Sequence, residues 1–428
     1  MTIPPPAPPF SDAMFALTLG LLLLAPLTIA GVALLNTGLG RSRSAAQSLL
    51  GCVTLMAVSA IAFAVVGVSF AGQPGHAVSI AGKSWGWIGA GPLLLRHFGT
   101  LPAQSQLEIL FEFLAAGLVA IIPWGSGADR LRLPAGCAIA AVLAGGVFPV
   151  MVHWVWGGGW LAGLGANFGM GAGFLDGAGA ASVHALGGLS ALAIVWIAGS
   201  RRGKFPKEGL ATAMPGHNAV YILFGCLLAL VGWLAWNVAG AVLWLHAGPA
   251  DLVVTAINTV LAASAALAAT FTVTRTRFGK PDASMCANGW LAGMVSSSAC
   301  AAVITPADSI LVGAIAGVAA PLLVELLELA LSIDDPSGAV SVHAVGGLWG
   351  LFAAGLFGHQ PGQMLAQLVG IATFLGLVFP LLYFLFAIVN RILPFRVDPD
   401  GERLGMDLHE LGGGAYPEFV IHRDESYR

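Results

Sequence analysis

Ser182-Val183-His184-Ala185-Leu186-Gly187-Gly188-Leu189 recurs almost unchanged as Ser341-Val342-His343-Ala344-Val345-Gly346-Gly347-Leu348. In both copies an aspartate stands eight residues before the histidine, Asp176 before His184 and Asp335 before His343. Two distant segments that share a histidine, a glycine pair and an acid at one spacing mark an internal duplication. What surrounds them decides the fold.

The surroundings are apolar. Charged residues make up 9% of the 428, against about 25% in soluble domains, and hydrophobic residues 57%. So little charge cannot solvate a surface of this size. A soluble enzyme, a disordered chain, a coiled coil and a nucleic-acid binder are excluded together, and a multi-pass membrane protein remains. The five cysteines (Cys52, Cys137, Cys226, Cys286, Cys300) lie in apolar stretches without metal-ligand spacing and read as small hydrophobes. Met1 to Asp12 is Pro-rich and lacks the basic region of a signal peptide, so the first apolar run is expected to stay as a helix.

Apolar runs of about 20 residues, the length that crosses a bilayer, fall near 13–35, 47–70, 106–123, 134–155, 179–199, 219–246, 253–274, 285–304, 309–330, 339–358 and 365–392. Eleven transmembrane helices are therefore expected in an all-α membrane domain over 1–392, with a polar tail over 393–428. Basic residues orient it. One set of loops carries Arg41, Arg43, Arg130, Arg132, Arg201, Arg202, Lys204, Lys207, Arg275, Arg277 and Lys280, and the tail adds Arg391, Arg396, Arg403, Arg423 and Arg428. The other set carries only Lys83 and Arg96. The N-terminus is thus expected outside and the tail in the cytoplasm.

By this count the two copies occupy the fifth and tenth spans, which run in opposite directions. The halves, about 13–199 and 219–358, form an inverted five-helix repeat with a final helix at 365–392. At about 1.5 Å per residue each histidine sits about 12 Å beyond its aspartate. Entry from opposite faces of a core about 30 Å thick leaves the imidazoles within about 6 Å in depth. Ionisable groups inside a membrane are functional candidates by default, and a symmetric pair strengthens the case. The other histidines differ: His76, His97, His246 and His359 fall in outer loops or at span ends, His409 and His422 in the tail, and His153 and His217 near span ends. A metal site would need further ligands, and none repeats nearby. No cofactor fingerprint or nucleophile–base pair suggests an enzyme. Two neutral imidazoles can share one proton and line a narrow path for a small polar molecule.

At these residues the sequence resembles the ammonium transporter (Amt/Mep/Rh) family, most closely its bacterial Amt branch. The resemblance extends over nearly the whole chain: Ala33 to Leu39 at the end of the first span, Val155-Trp156-Gly157-Gly158-Gly159, the two acid-to-histidine segments, Ala287-Asn288-Gly289-Trp290-Leu291-Ala292-Gly293, and Gly405-Met406-Asp407 with Ala415-Tyr416 in the tail. It implies a homotrimer in the cell membrane, with one pore per subunit lined by His184 and His343. Trp156 would be a wall of an outer ammonium recruitment site, with Asp176 behind it, a place compatible with its capping the fifth helix. Phe111 and Trp236 would form a hydrophobic gate. Ammonium would shed its proton near that gate, ammonia would pass the histidines, and the tail would meet neighbouring subunits and a PII-type regulatory protein.

Several pore-site residues are atypical. Trp236 stands where the family usually has phenylalanine, Gly240 where it has the outer-site serine, and Leu107 where it has a second gate phenylalanine. The stretches from Trp160 to Leu175 and from Leu107 to Arg132 are longer than the family's. Glu108 and Glu112 are unusual in a third span; with Phe111 facing the pore, Glu108 is expected on a similar face and Glu112 elsewhere. These departures keep two further readings in view, an ammonium sensor with little flux and a neutral gas channel like the Rh branch.

Overall fold

The computed structural model describes residues 10–72, 75–96 and 98–416, without the side chain of His76. The Pro-rich start through Pro9, His97, and the tail beyond Tyr416, with His422, Arg423 and Arg428, lie outside the described residues.

Among the described residues, ten helices are long and apolar enough to cross a membrane. With one less apolar helix, in chain order, they are α1 (Asp12–Leu39), α2 (Ser42–Ala71), α3 (Ala103–Ser126), α4 (Leu133–Val155), α5 (Ala180–Ala198), α6 (Ala219–Leu245), α7 (Pro249–Phe278), α8 (Ala283–Cys300), α9 (Pro306–Leu329), α10 (Val340–Phe357) and α11 (Gln363–Ile392). Every expected span has its helix. The exception to the apolar rule is α8, where Asn288, Ser296, Ser297 and Ser298 are all buried inside the protein. Its polar groups are spent on neighbours: Ser296 Oγ donates to Gly346 O at 3.0 Å and Ser298 Oγ to Asn237 Oδ1 at 3.0 Å. A helix surrounded by protein need not be as apolar as one facing lipid. Helix starts are capped as their sequences dictate, by Asn218 at α6, Asp282 at α8 and a Thr305–Asp308 capping box at α9.

One connection is not the plain loop that the sequence suggests. Residues Gly75–Ile80 (β1) and Lys83–Gly89 (β2) form an antiparallel hairpin between α2 and α3. Ala81 and Gly82 both take positive φ, 51° and 74°, the backbone a tight two-residue turn demands. Trp85 and Trp87 from β2 pack with Trp160, capping that end of the bundle.

The repeated helices cross in a reciprocal way. A Cβ added to Gly188 would come within 2.1 Å of Ala344 N, and one on Gly347 within 3.0 Å of Ala185 N and 2.3 Å of Ala180 O. Ala185 and Ala344 are the same position of the two repeats, so each helix presses its second glycine onto the other's alanine. That is the contact of a pseudo-twofold axis, and only glycine lets the backbones approach so closely. The residue before each alanine is the histidine.

At the opposite end from the hairpin, buried charges tie the loops together. Arg201 makes two hydrogen bonds to the Asp334 carboxylate, at 2.8 and 2.9 Å, and a third to Asp129 at 3.1 Å. Arg130, fully buried, donates to the carbonyls of Gly199 and Asp334. The tail folds onto this face. Arg132 N donates to Phe395 O, Arg396 pairs with Glu402, and Asp407 accepts from Ala46 N and Gln47 N at the start of α2.

Candidate functional site

The two repeats build their histidines with the same local device. Asp176 Oδ2 accepts from Ala181 N, Ser182 N and Ser182 Oγ, while Oδ1 accepts from Gly179 N. Asp335 Oδ2 accepts from Val340 N at 2.8 Å and its Oδ1 from Ser126 Oγ at 2.6 Å. Each aspartate thus satisfies the free amides that open its helix. Gly179 and Gly338, three residues after each acid, both have positive φ, 92° and 69°. The duplication is therefore longer than its obvious core: Asp-x-x-Gly-Ala, then Ser-Val-His two residues on, is common to both copies. In both, the first turn is a π-turn, over Ala180–Ala185 and Val340–Val345. Such wide turns are frequent at functional sites.

The histidines end up in contact. His184 Nδ1 and His343 Nδ1 lie 3.2 Å apart, with ring centroids 5.2 Å apart and planes 23° from parallel. One Nδ1 donates and the other accepts, so the pair holds a single proton in that bond. Both rings are buried. His184 also stacks on Trp233, at 4.8 Å and 14°, and its Nε2 has no hydrogen-bond partner among the described residues. Trp233 is fixed in turn by Ser298, to which its Nε1 donates at 2.9 Å.

Above the histidines lies an aromatic cluster. Phe111 and Trp236 are both fully buried, with centroids 4.5 Å apart. Trp156 meets the edge of Phe111 at 5.5 Å and stacks in parallel on Trp244, at 4.9 Å and 4°. Loop carbonyls hold both expected tryptophans: Trp156 Nε1 donates to Asp176 O at 2.7 Å, and Trp236 Nε1 to Ala178 O at 2.8 Å. Trp244 was not legible as a site residue, although Trp236, Gly240 and Trp244 follow each other at helical spacing of four on α6.

Outside this cluster opens a vestibule of about 710 Å³, lined by Trp156, Trp244, Asp176, Glu108, Glu112 and His246, among others. Two expectations change here. Glu112 does not point away from the vestibule; it lines it together with Glu108, because the two stand four residues apart and so share one side of α3. Gly240 does not stand at the vestibule as a serine with its hydroxyl missing. A Cβ there would come within 2.4 Å of Gly177 O, so α6 needs glycine to lie against the loop that carries Asp176.

The chain matches the model described as Ammonium Transporter Family over residues 14–416. It is 34% identical to ammonium transporter Amt2 of Archaeoglobus fulgidus, over 97% of this chain and 90% of that one. It is 31% identical to the ammonium transporter of Bacillus subtilis, over 92% and 96%. Among solved structures, a chain described as a sensor Amt protein superposes with a TM-score of 0.83 at 25% identity, over 92% of this chain and 97% of that one. Candida albicans Mep2 shares the fold, with a TM-score of 0.77 over 91% and 87% at 23% identity.

Proposed function

Because the chain belongs to the ammonium transporter family, we propose that this multi-pass protein of the plasma membrane carries ammonium nitrogen through its own bundle, past His184 and His343. The observation that carries the reading is the 3.2 Å contact between the two imidazoles, buried beneath a closed aromatic cluster. A bare ammonium ion pays heavily to leave water for an apolar path, whereas ammonia does not. Ammonium gathers in the vestibule against the stacked rings of Trp156 and Trp244 that line it, an attraction worth roughly 0.5–2 kcal/mol for a cation on an aromatic ring. At the Phe111–Trp236 gate it gives up one proton. Ammonia crosses the gate, and the released proton has the hydrogen-bonded imidazoles as its separate route. Potassium has no proton to shed and is left behind. Asp176 works from behind, holding the start of α5 and, through its carbonyl, the ring of Trp156.

The same reading takes all eleven helices as spans, puts the N-terminus outside and the tail in the cytoplasm, and treats the pore as one of three in a homotrimer. The docked tail, 393–416, is the surface a PII-type regulatory protein would meet. The chain acts as a transporter and not as an enzyme, with no cofactor or metal in its cycle.

The test is a current. Liposomes carrying the protein on a solid-supported membrane are given an ammonium jump at fixed pH over a potassium background. An ammonium-specific current, absent from protein-free liposomes, supports the reading. A sensor with little flux is the second reading, favoured by the complete burial of Phe111 and Trp236 against each other. Absence of current from folded protein would overturn the electrogenic reading and leave the sensor or a neutral gas channel.

A further inference from the structure

We propose that Glu108 and Glu112 form a cation station on the vestibule wall, which holds ammonium by its N–H groups before the gate. This deepens the reading above by naming where the ion waits.

The two glutamates stand four apart on α3 and therefore on one side of it, about one turn from each other. Phe111, the gate ring, lies between them in sequence. Glu112 follows it by one residue, only about 1.5 Å further along the axis, and helical side chains lean back toward the N-terminus. That lean carries the Glu112 carboxylate to the outer side of the gate, into the cavity that Glu108 also lines.

Glu112 is not accounted for by the fold, and Glu108 only in part. Glu112 is only 7% exposed, yet it accepts no hydrogen bond from any described residue. Glu108 accepts from Gln104 Nε2 at 2.9 Å and has the Ser105 hydroxyl beside it. No described lysine or arginine pairs with either, although Arg96 lines the same vestibule. Burying a carboxylate without a partner is costly, and a like charge one turn away adds to the cost. The remaining titratable groups facing them are Arg96, Asp176 and His246, and the Asp176 carboxylate is already committed to Gly179, Ala181 and Ser182.

The missing partner is a small cation with several donors. Ionised carboxylates only accept hydrogen bonds. Ammonium offers four N–H groups and can meet two carboxylates and a tryptophan face at once. Potassium offers charge alone. Gly240, pressed onto Gly177, leaves no room for a hydroxyl on the α6 side of the site. The acceptors come from α3 instead.

The test reads binding, not flux. Trp156 and Trp244 line the same cavity, so tryptophan fluorescence of detergent-purified protein is titrated with ammonium chloride at constant ionic strength, against potassium chloride. The wild type is expected to saturate with ammonium at lower concentration than with potassium. Glu108→Gln/Glu112→Gln should need about tenfold more ammonium, a factor of 1.4 kcal/mol, and should lose the preference over potassium. Glu108→Gln alone, at the more outward position, should shift the midpoint about threefold, and Glu112→Asp should keep most of the affinity. An unchanged midpoint in either glutamine variant, or no saturable ammonium response in the wild type, overturns the station. Transport could fail while this titration succeeds, so the two claims fall separately.

Discussion

His184 and His343 meet through like atoms, Nδ1 to Nδ1 at 3.2 Å, across a contact in which Gly188 and Gly347 each abut the other repeat's alanine. The pairing of the rings and the crossing of the helices are one geometric fact. Two copies of a short sequence, entering from opposite ends, can place identical atoms in contact only on a pseudo-twofold axis. The asymmetry is equally informative: a shared proton makes one ring the donor and its twin the acceptor, and only His184 stacks on Trp233.

The parallel tryptophans predict a loss of recruitment. Trp244→Leu keeps the position apolar but removes the ring that stacks on Trp156, 4.9 Å away. The half-saturating ammonium concentration for current is expected to rise by about three- to tenfold, the loss of a cation–π contact of about 1 kcal/mol, with little change in maximal current. A concentration–current series measures both.

Restoring the family's serine should harm the protein. In Gly240→Ser the new Cβ meets Gly177 O and Ala178, and overpacking of this kind costs about 1–3 kcal/mol. The melting temperature in detergent is expected to fall by several degrees. A variant as stable as the wild type would show that the α6 contact is looser than described.

The buried charge network makes a prediction in pH. Burial alone would raise the Asp334 carboxyl, but its hydrogen bonds to Arg201 and the charge of Arg130 prevail and hold it at about 2. A carboxylate depressed on folding lends stability that is fully present above its unfolded value of about 3.9 and is lost as pH falls through its folded value. The loss between about pH 4 and pH 2 amounts to about 2 kcal/mol, since the side chain is almost wholly buried. Asp334→Asn, which leaves Arg201 short of its partner, is expected to cost about 3–5 kcal/mol near neutrality and to flatten that acid limb. Thermal melts from pH 6 to pH 2 of both proteins compare the slopes.

The bundle was readable from the sequence because lipid imposes one rule on ten of its helices, and because basic loops alternate cleanly. At α8 the rule weakens, as protein surrounds Asn288 and Ser296 to Ser298, yet the apolar run near 285–304 still marked the helix. The hairpin escaped because Gly75, Gly82, Gly86 and Gly89 interrupt its short alternation. The histidine pair was legible from the duplication itself. Trp244 and the direction of Glu112 were not, since the first needs the spacing along α6 to be read as a wall and the second was placed by its step from Phe111 and not by its four-residue step from Glu108. Gly240 was recognised as unusual, but only the backbone distance to Gly177 explains it.

The central claim is that ammonium nitrogen passes the paired imidazoles, and its most direct test is the ammonium-jump current of His184→Ala/His343→Ala beside the wild type in the same liposomes. Removing both rings leaves an apolar passage with no group to carry a proton. The account predicts that the current falls at least tenfold, a change of about 1.4 kcal/mol or more in the barrier, while the folded fraction by size-exclusion chromatography is unchanged. A double variant that carries the wild-type ammonium current would contradict it.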